Sequence, residues 1–493
     1  MLANAEWKEC IAFIVPKEHV KNVKVFLERR GKMHPTARIT QSNREGYFLL
    51  PTTLFTTSVH TQDGEAEEGN LTVVQEEANQ LVKDYGNNSG IQTTAYTLST
   101  SVAGTPSGQS DRIIRIFDQW AQTHLSSDYQ DSTLDALRSS LPRTYTIYGT
   151  LLLFSGRSFS DDEWRDLFQN ISREAHVAFF SEIAALHKVT HIAINAPIPL
   201  HTTKTAADEN HDNENLLRSP SNLQPLLGNF GALCSDPAPS ATDFASAHWV
   251  TARQNAISQT WAPLYTMFSR GNISEKSRLL SLPSITSTVS AGPSCAVDLY
   301  AGIGYFTFSY AAAGVSKILA WDLNPWSIEG LHRGANANGW SNIYCGRDQT
   351  SKTWSSFCDK AASAKIVAFC ESNLCAPDRI KDLRKNVSLP PIRHVNLGLL
   401  PSSVESWPVA ASVLDRTGVG WVHVHMNFAA EEVEQKAEWC SGQFKRVLIR
   451  TGWSEGVVVV VEEIHRVKTY APGVWHCVVD LRIAPAVKVK VAE

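Results

Sequence analysis

The run Asp298-Leu-Tyr-Ala-Gly-Ile-Gly-Tyr-Phe-Thr307, entered from Cys295-Ala-Val297, constrains the fold more than any other segment. It reads as a buried strand over Ala296 to Tyr300, a tight turn on Gly302 and Gly304, and a helix opening at Thr307. Glycines at such a junction let the backbone approach a ligand with no Cβ in the way. A second apolar strand, Lys317 to Trp321, ends on Asp322. A carboxylate about twenty positions beyond the glycines is placed to accept hydrogen bonds from ribose hydroxyls. Asp298, at the carboxyl end of the first strand, joins the same crevice.

From Ser281 onward, strand and helix patterns alternate, which predicts a mostly parallel sheet covered on both faces. Strands are expected at Ala296–Tyr300, Lys317–Asp322, Ile343–Cys345, Ile366–Phe369, His394–Leu399, Gly420–Asn427, Gly456–Ile464 and Trp475–Ile483. The glycine turn lacks a third glycine, and no Lys-Ser/Thr pair follows it to cradle phosphates. NAD and ATP are therefore disfavoured against a nucleoside without phosphates, of which S-adenosylmethionine is the commonest. Ligands in such sheets sit beyond the carboxyl ends of the strands, which adds Asp348 and the small polar turn Asn396-Leu-Gly-Leu-Leu-Pro-Ser-Ser403. That turn is either a plain strand-to-helix connection or a site in which Asn396 faces the reacting atom.

The 493 residues predict roughly three domains, or two with inserts. We divide the chain into 1–55, with a strand at Cys10–Val15 and a basic helix over Lys17–Arg30; a flexible polar insert, 56–110; an α+β segment, 111–245, with a second polar insert at 201–240; a helical linker, 246–280; and 281–493. With net charge −4, nucleic-acid contact has to come from local patches. One candidate is the helix bearing Lys21, Lys24 and Arg29, read either as a solvated face or as a phosphate-contacting surface. Another is Arg466, Lys468 and Tyr470, read as an RNA contact or an ordinary exposed loop after a strand. His423 and His425 share one side of a strand, and no third ligand accompanies them, so hydrogen-bonded structural histidines are expected and no metal. Nine cysteines without a Cys-x-x-Cys pair, and a start without an apolar run, favour reduced thiols in the cytoplasm and no membrane span.

Four segments resemble the tRNA wybutosine-synthesizing protein 2 family. They are Thr190-His-Ile-Ala-Ile-Asn-Ala-Pro-Ile-Pro199, the stretch from Gln254 through Trp261-Ala-Pro263 to Met267-Phe-Ser-Arg-Gly-Asn-Ile-Ser-Glu-Lys276, the glycine segment, and the Asn396 turn. Methyltransferase relatives that act on guanosine beside the anticodon carry Asn-Leu-Pro where this chain has Asn396-Leu-Gly398. The resemblance implies a class I methyltransferase-like, Rossmann-type catalytic domain behind a smaller α+β domain. It implies transfer of the 3-amino-3-carboxypropyl group of S-adenosylmethionine to the wyosine precursor base, 3′ of the anticodon of phenylalanine tRNA; no metal is expected, and of the oligomeric states, which the sequence leaves open, a monomer is favoured. By motif, Ser269 and Lys276 take the amino-acid end of the co-substrate, Asp322 the ribose, and Asp348 with Gln349 the adenine edge. Tyr305 or Tyr470 would stack on the extruded base. Two positions depart from the family: Gly346-Arg-Asp-Gln349 replaces Gly-Asp-Asn-Arg, and Met426 stands where the family carries a glutamate. A methyltransferase of the same fold, and a protein that binds tRNA or S-adenosylmethionine without turnover, remain alternative readings.

Overall fold

Two units make up the chain, Met1–Gly108 and Gln109–Glu493. The computed structural model describes residues 8–30, 32, 40–41, 47–56, 69–85, 91–98, 109–125, 129–195, 223–346 and 351–486. The first unit is an antiparallel sheet of β1 (Lys8–Pro16), β2 (Thr40–Gln41), β3 (Tyr47–Thr56) and β4 (Gln92–Leu98), in the order β2-β3-β1-β4. Ile11, Phe13 and Val15 of β1 are buried on one face of the strand, and Ala12 on the other is buried as well. Val23 and Leu27 of the helix Val20–Arg29, and Ala78 and Leu81 of the helix Gly69–Tyr85, join that core. The flexible insert expected at 56–110 is thus corrected. It contributes a helix and β4, which pairs along β1, because three buried positions (Ala78, Leu81 and Ile91) suffice to anchor an otherwise polar stretch.

The second unit begins with helices Gln109–His124, Asp131–Ser139, Asp162–Asn170 and Arg173–His187. They pack on a four-stranded sheet, β5 (Tyr145–Tyr148), β6 (Leu151–Phe154), β7 (His191–Ile194) and β8 (Gln224–Leu227), paired in chain order. Its core is aromatic, with Phe117, Trp164, Phe179 and Phe180 almost fully buried; truncating one to alanine costs about 3–5 kcal/mol. The linker expected to be helical over 246–280 is instead a hairpin, β9 (Val250–Gln254) and β10 (Ile257–Trp261), followed by the helix Ile273–Leu279. Asn255 and Ala256 between the strands both have positive φ, 52° and 62°, as a two-residue turn matched to strand twist requires.

Eight further strands complete the unit: β11 (Cys295–Asp298), β12 (Lys317–Asp322), β13 (Asn342–Cys345), β14 (Ile366–Cys370), β15 (Ile392–Leu397), β16 (Gly420–Ala429), β17 (Val458–Ala471) and β18 (Val474–Ala484). They form one sheet, β13-β14-β12-β11-β15-β16-β18-β17, parallel from β13 to β16 and antiparallel beyond. Every residue of β11 and β14 is buried, the signature of strands covered on both faces. Helices such as Thr307–Ala312 and Pro325–Ala337 supply the cover.

Candidate nucleoside-binding crevice

β11, β12 and β15 bring Asp298, Asp322 and Asn396 to one end of the sheet, with Asp298 directly opposite Asn396. Between β11 and the next helix the chain turns through Gly302 (φ 54°) and Gly304 (φ 92°). A Cβ on Gly304 would lie 2.5 Å from the Phe308 ring, and one on Gly302 2.8 Å from that of Tyr305, so only glycine fits this turn. Asp322 ties it down: one carboxylate oxygen accepts from the Gly302 N–H at 2.9 Å, the other from the Asn324 N–H at 2.9 Å.

Asp298 is fully buried, and its oxygens are engaged internally. Oδ2 accepts from the Thr307 N–H at 3.0 Å and from the Thr307 hydroxyl at 2.8 Å. Oδ1 accepts from Asn396 Nδ2 at 3.1 Å. Burial raises the carboxyl's pKa, opposed by these hydrogen bonds. Asp298, expected at the cofactor, holds the helix start and Asn396. The side chain of Asn396 is itself buried, and its Oδ1 has no hydrogen-bond partner among the described residues. A buried acceptor left open at a strand end is unusual, since such atoms are normally hydrogen-bonded.

Ser269 and Lys276 flank the second wall. The Ser269 N–H donates to the Tyr305 hydroxyl at 3.1 Å, and that hydroxyl donates to the Met267 carbonyl. Tyr305, expected as a base-stacking surface, pins the segment carrying Ser269 through its hydroxyl. Lys276, 3% exposed, donates to Gln259 Oε1 at 3.0 Å and to Gln254 Oε1, and lies 5.0 Å from the Phe268 ring. Both partners are neutral. Burial, and then the nearby ammonium of Lys468, pull the Lys276 pKa down to about 8. Lys468, expected to meet RNA, packs on Gly271 on this wall. The two glutamines escaped sequence reading because their place on facing hairpin strands follows from the turn at Asn255.

Other expectations separate. Asp348 and Gln349 lie outside the described residues, and they follow β13, the outermost strand, not the neighbour of β12. On its other side from β11, β12 pairs with β14, with Cys370 opposite Asp322, so the loop Glu371-Ser-Asn373 follows the strand end beside Asp322. There Asn373 Nδ2 donates to the Leu299 carbonyl at 3.0 Å, and Arg379 holds Glu371 in an ion pair at 2.8 Å. Arg466, Lys468 and Tyr470 belong to β17 itself, not to a loop after it. Arg466 pairs with Glu434 at 2.9 Å, and Tyr470 is 51% exposed. Lys24 is exposed in the amino-terminal unit, whereas the side chains of Lys21 and Arg29 lie outside the described residues.

The histidines are structural. His423 Nδ1 lies 2.7 Å from Asp480, His423 Nε2 3.2 Å from His394, and His425 3.0 Å from His476. Asp480 also accepts from Arg278 at 2.6 Å, and Arg278 accepts nothing but grips Glu275 at 2.8 Å, so the helix bearing Lys276 is fastened to β18. No group of His, Cys, Asp and Glu among the described residues is arranged to hold a metal.

A mostly parallel sheet whose glycine turn and strand-end carboxylates form a crevice for a nucleoside without phosphates defines a class I methyltransferase-like protein. The chain is 40% identical over 351 residues to the tRNA wybutosine-synthesizing protein 2 of Schizosaccharomyces pombe, covering 71% of this chain and 75% of that protein. It therefore belongs to the tRNA wybutosine-synthesizing protein 2 family. The Saccharomyces cerevisiae protein of that name is 33% identical over 398 residues (71% of this chain, 76% of the relative), and a Danio rerio homolog 27% over 379 (71% and 73%). No family model matches the chain.

Proposed function

We propose that this protein transfers the 3-amino-3-carboxypropyl group of S-adenosylmethionine to the wyosine precursor base 3′ of the anticodon in phenylalanine tRNA. Family membership carries this reading, together with the Asn396-Leu-Gly398 turn on which the sequence resembles the family. S-adenosylmethionine supplies a sulfonium with three electrophilic carbons, of which geometry selects one. The residues present fit it: a glycine turn that a Cβ would fill, an open buried acceptor on Asn396, and an ammonium on Lys276 with only neutral partners.

In this reading Asp322 takes the ribose hydroxyls, Gly302 and Gly304 admit the nucleoside, and Ser269 with Lys276 holds the amino-acid end. The adenine edge falls to Glu371–Asn373, the strand-end loop adjoining Asp322, in place of Asp348 and Gln349. Asp298 fixes Asn396 Nδ2, which leaves Asn396 Oδ1 to orient the acceptor base. Tyr470, Arg466 and the Lys24 helix remain for RNA. We further propose that it works as a monomer in the cytoplasm; among the described residues no helix is long and apolar enough to cross a membrane.

The test is a pair of transfer assays on tRNA from a strain that stops at the tricyclic precursor. One uses S-adenosylmethionine labelled in the methyl group, the other in the carboxyl. Carboxyl label in the tRNA without methyl label is the expected result; methyl label alone reassigns the protein to the methyltransferase branch. In the same preparation, Asp322→Ala weakens S-adenosylmethionine binding roughly 10- to 100-fold, the value of lost charge-assisted hydrogen bonds. RNA affinity stays at the wild-type level. Titration calorimetry reads both, and a selective loss of RNA binding would remove Asp322 from the cofactor site.

A further inference from the structure

A groove of about 450 Å³, lined by Tyr145, Ile147, Tyr148, Arg253, Gln254 and Arg270 among others, opens between the strands β5 and β9. β5 is the outer strand of its four-stranded sheet, and β9 belongs to a two-stranded one, so the groove runs along two strand edges. Arg253 and Arg270 are exposed. Arg253 donates only to the Ala256 carbonyl at 3.2 Å, and Arg270 to the Thr146 hydroxyl at 3.5 Å, with no carboxylate against either among the described residues. Two unneutralised guanidiniums therefore stand on one groove of a chain whose net charge is −4. Gln254 lines the groove and also accepts from Lys276 Nζ, which makes the groove continuous with the wall assigned to the transferred group.

We infer that this groove takes the single-stranded RNA backbone flanking the acceptor base, with Arg253 and Arg270 on successive phosphates. The inference rests on the function proposed above. Guanidinium forks match phosphate geometry, and strand edges offer N–H and C=O groups to ribose 2′-hydroxyls. The 39%-exposed Ile147, beside Tyr148, supplies apolar surface for a base. Its position fits the reaction: a base that reaches the transferred carbon brings its neighbouring phosphates alongside the Lys276 wall.

The experiment measures binding of a fluorescein-labelled anticodon stem-loop RNA at several salt concentrations, using the full-length protein. Each phosphate contact on a single strand contributes about 0.7 to the slope of log affinity against log salt. R253Q/R270Q is expected to lower the slope by about 1.4, whereas R253K/R270K keeps it near the wild-type value. S-adenosylmethionine affinity, unchanged in both variants, confirms the fold. A wild-type slope in R253Q/R270Q overturns the groove assignment and leaves the proposed function standing, as does an equal loss in the lysine variant. Failure of the wild-type protein to bind the RNA at all overturns both.

Discussion

Replacing Lys276 by methionine raises the dissociation constant for S-adenosylmethionine on the order of 10- to 100-fold, through loss of a charge-assisted hydrogen bond in a buried setting. The same residue dictates a pH dependence. Its ammonium is pulled down to about 8 by burial and by Lys468, so in the free protein it loses its proton as the pH passes that value. A bound carboxylate favours the protonated form and raises the pKa again. Affinity is therefore level below pH 8 and falls about tenfold per unit above it, because each binding event must then recover a proton. Calorimetry between pH 6.5 and 9.5, a range of roughly one and a half units either side of that pKa, checks the step. Methylthioadenosine, which has no carboxylate, gives an internal control: its affinity is flat over the range and indifferent to Lys276→Met. A flat profile for S-adenosylmethionine as well would take Lys276 out of the amino-acid subsite.

Asp298→Ala acts on the fold and on Asn396 together. The substitution orphans three buried donors, the Thr307 amide, the Thr307 hydroxyl and Asn396 Nδ2. At about 1–3 kcal/mol for each unsatisfied group, partly relieved by entering water, a loss of about 3–5 kcal/mol is expected. Urea unfolding monitored by tryptophan fluorescence measures it. Asn396→Ala removes one hydrogen bond and an acceptor already without a partner, so it costs under about 2 kcal/mol while transfer falls sharply. The double variant then shows strong non-additivity, since both changes break the same contact. Additive costs would mean that Asp298 and Asn396 act separately.

The central strands β11 and β12 were legible in the sequence because parallel strands buried on both faces read as largely apolar runs. The glycine turn was legible for a steric reason visible in two residues. Strand order was not. Nothing in Asn342–Cys345 or Ile366–Cys370 says which of them pairs with β12, so the sequence does not tell which strand-end loop lies beside Asp322. The β9–β10 hairpin was hidden because its turn, Asn255-Ala256, lacks the glycine that usually announces positive φ. The apolar residues of Trp261-Ala-Pro-Leu-Tyr265 instead suggested helical spacing. The contacts of Tyr305 and Lys468 are tertiary: each lies against a wall residue that sequence distance conceals.

The turn after β15 is stitched to β16 through main-chain atoms: Ser402 forms a bridge with Met426, and the Asn427 N–H donates to the Pro401 carbonyl at 2.9 Å. Ser403 adds a bond to the His425 carbonyl at 3.2 Å. The Met426 side chain meanwhile reaches Cys440 Sγ at 3.7 Å, among the apolar residues beneath the helix Val433–Arg450. Position 426 thus serves the crevice with its backbone and the interior with its side chain. A change of side chain at 426 therefore meets the interior first and reaches the Asn396 turn through the main chain alone.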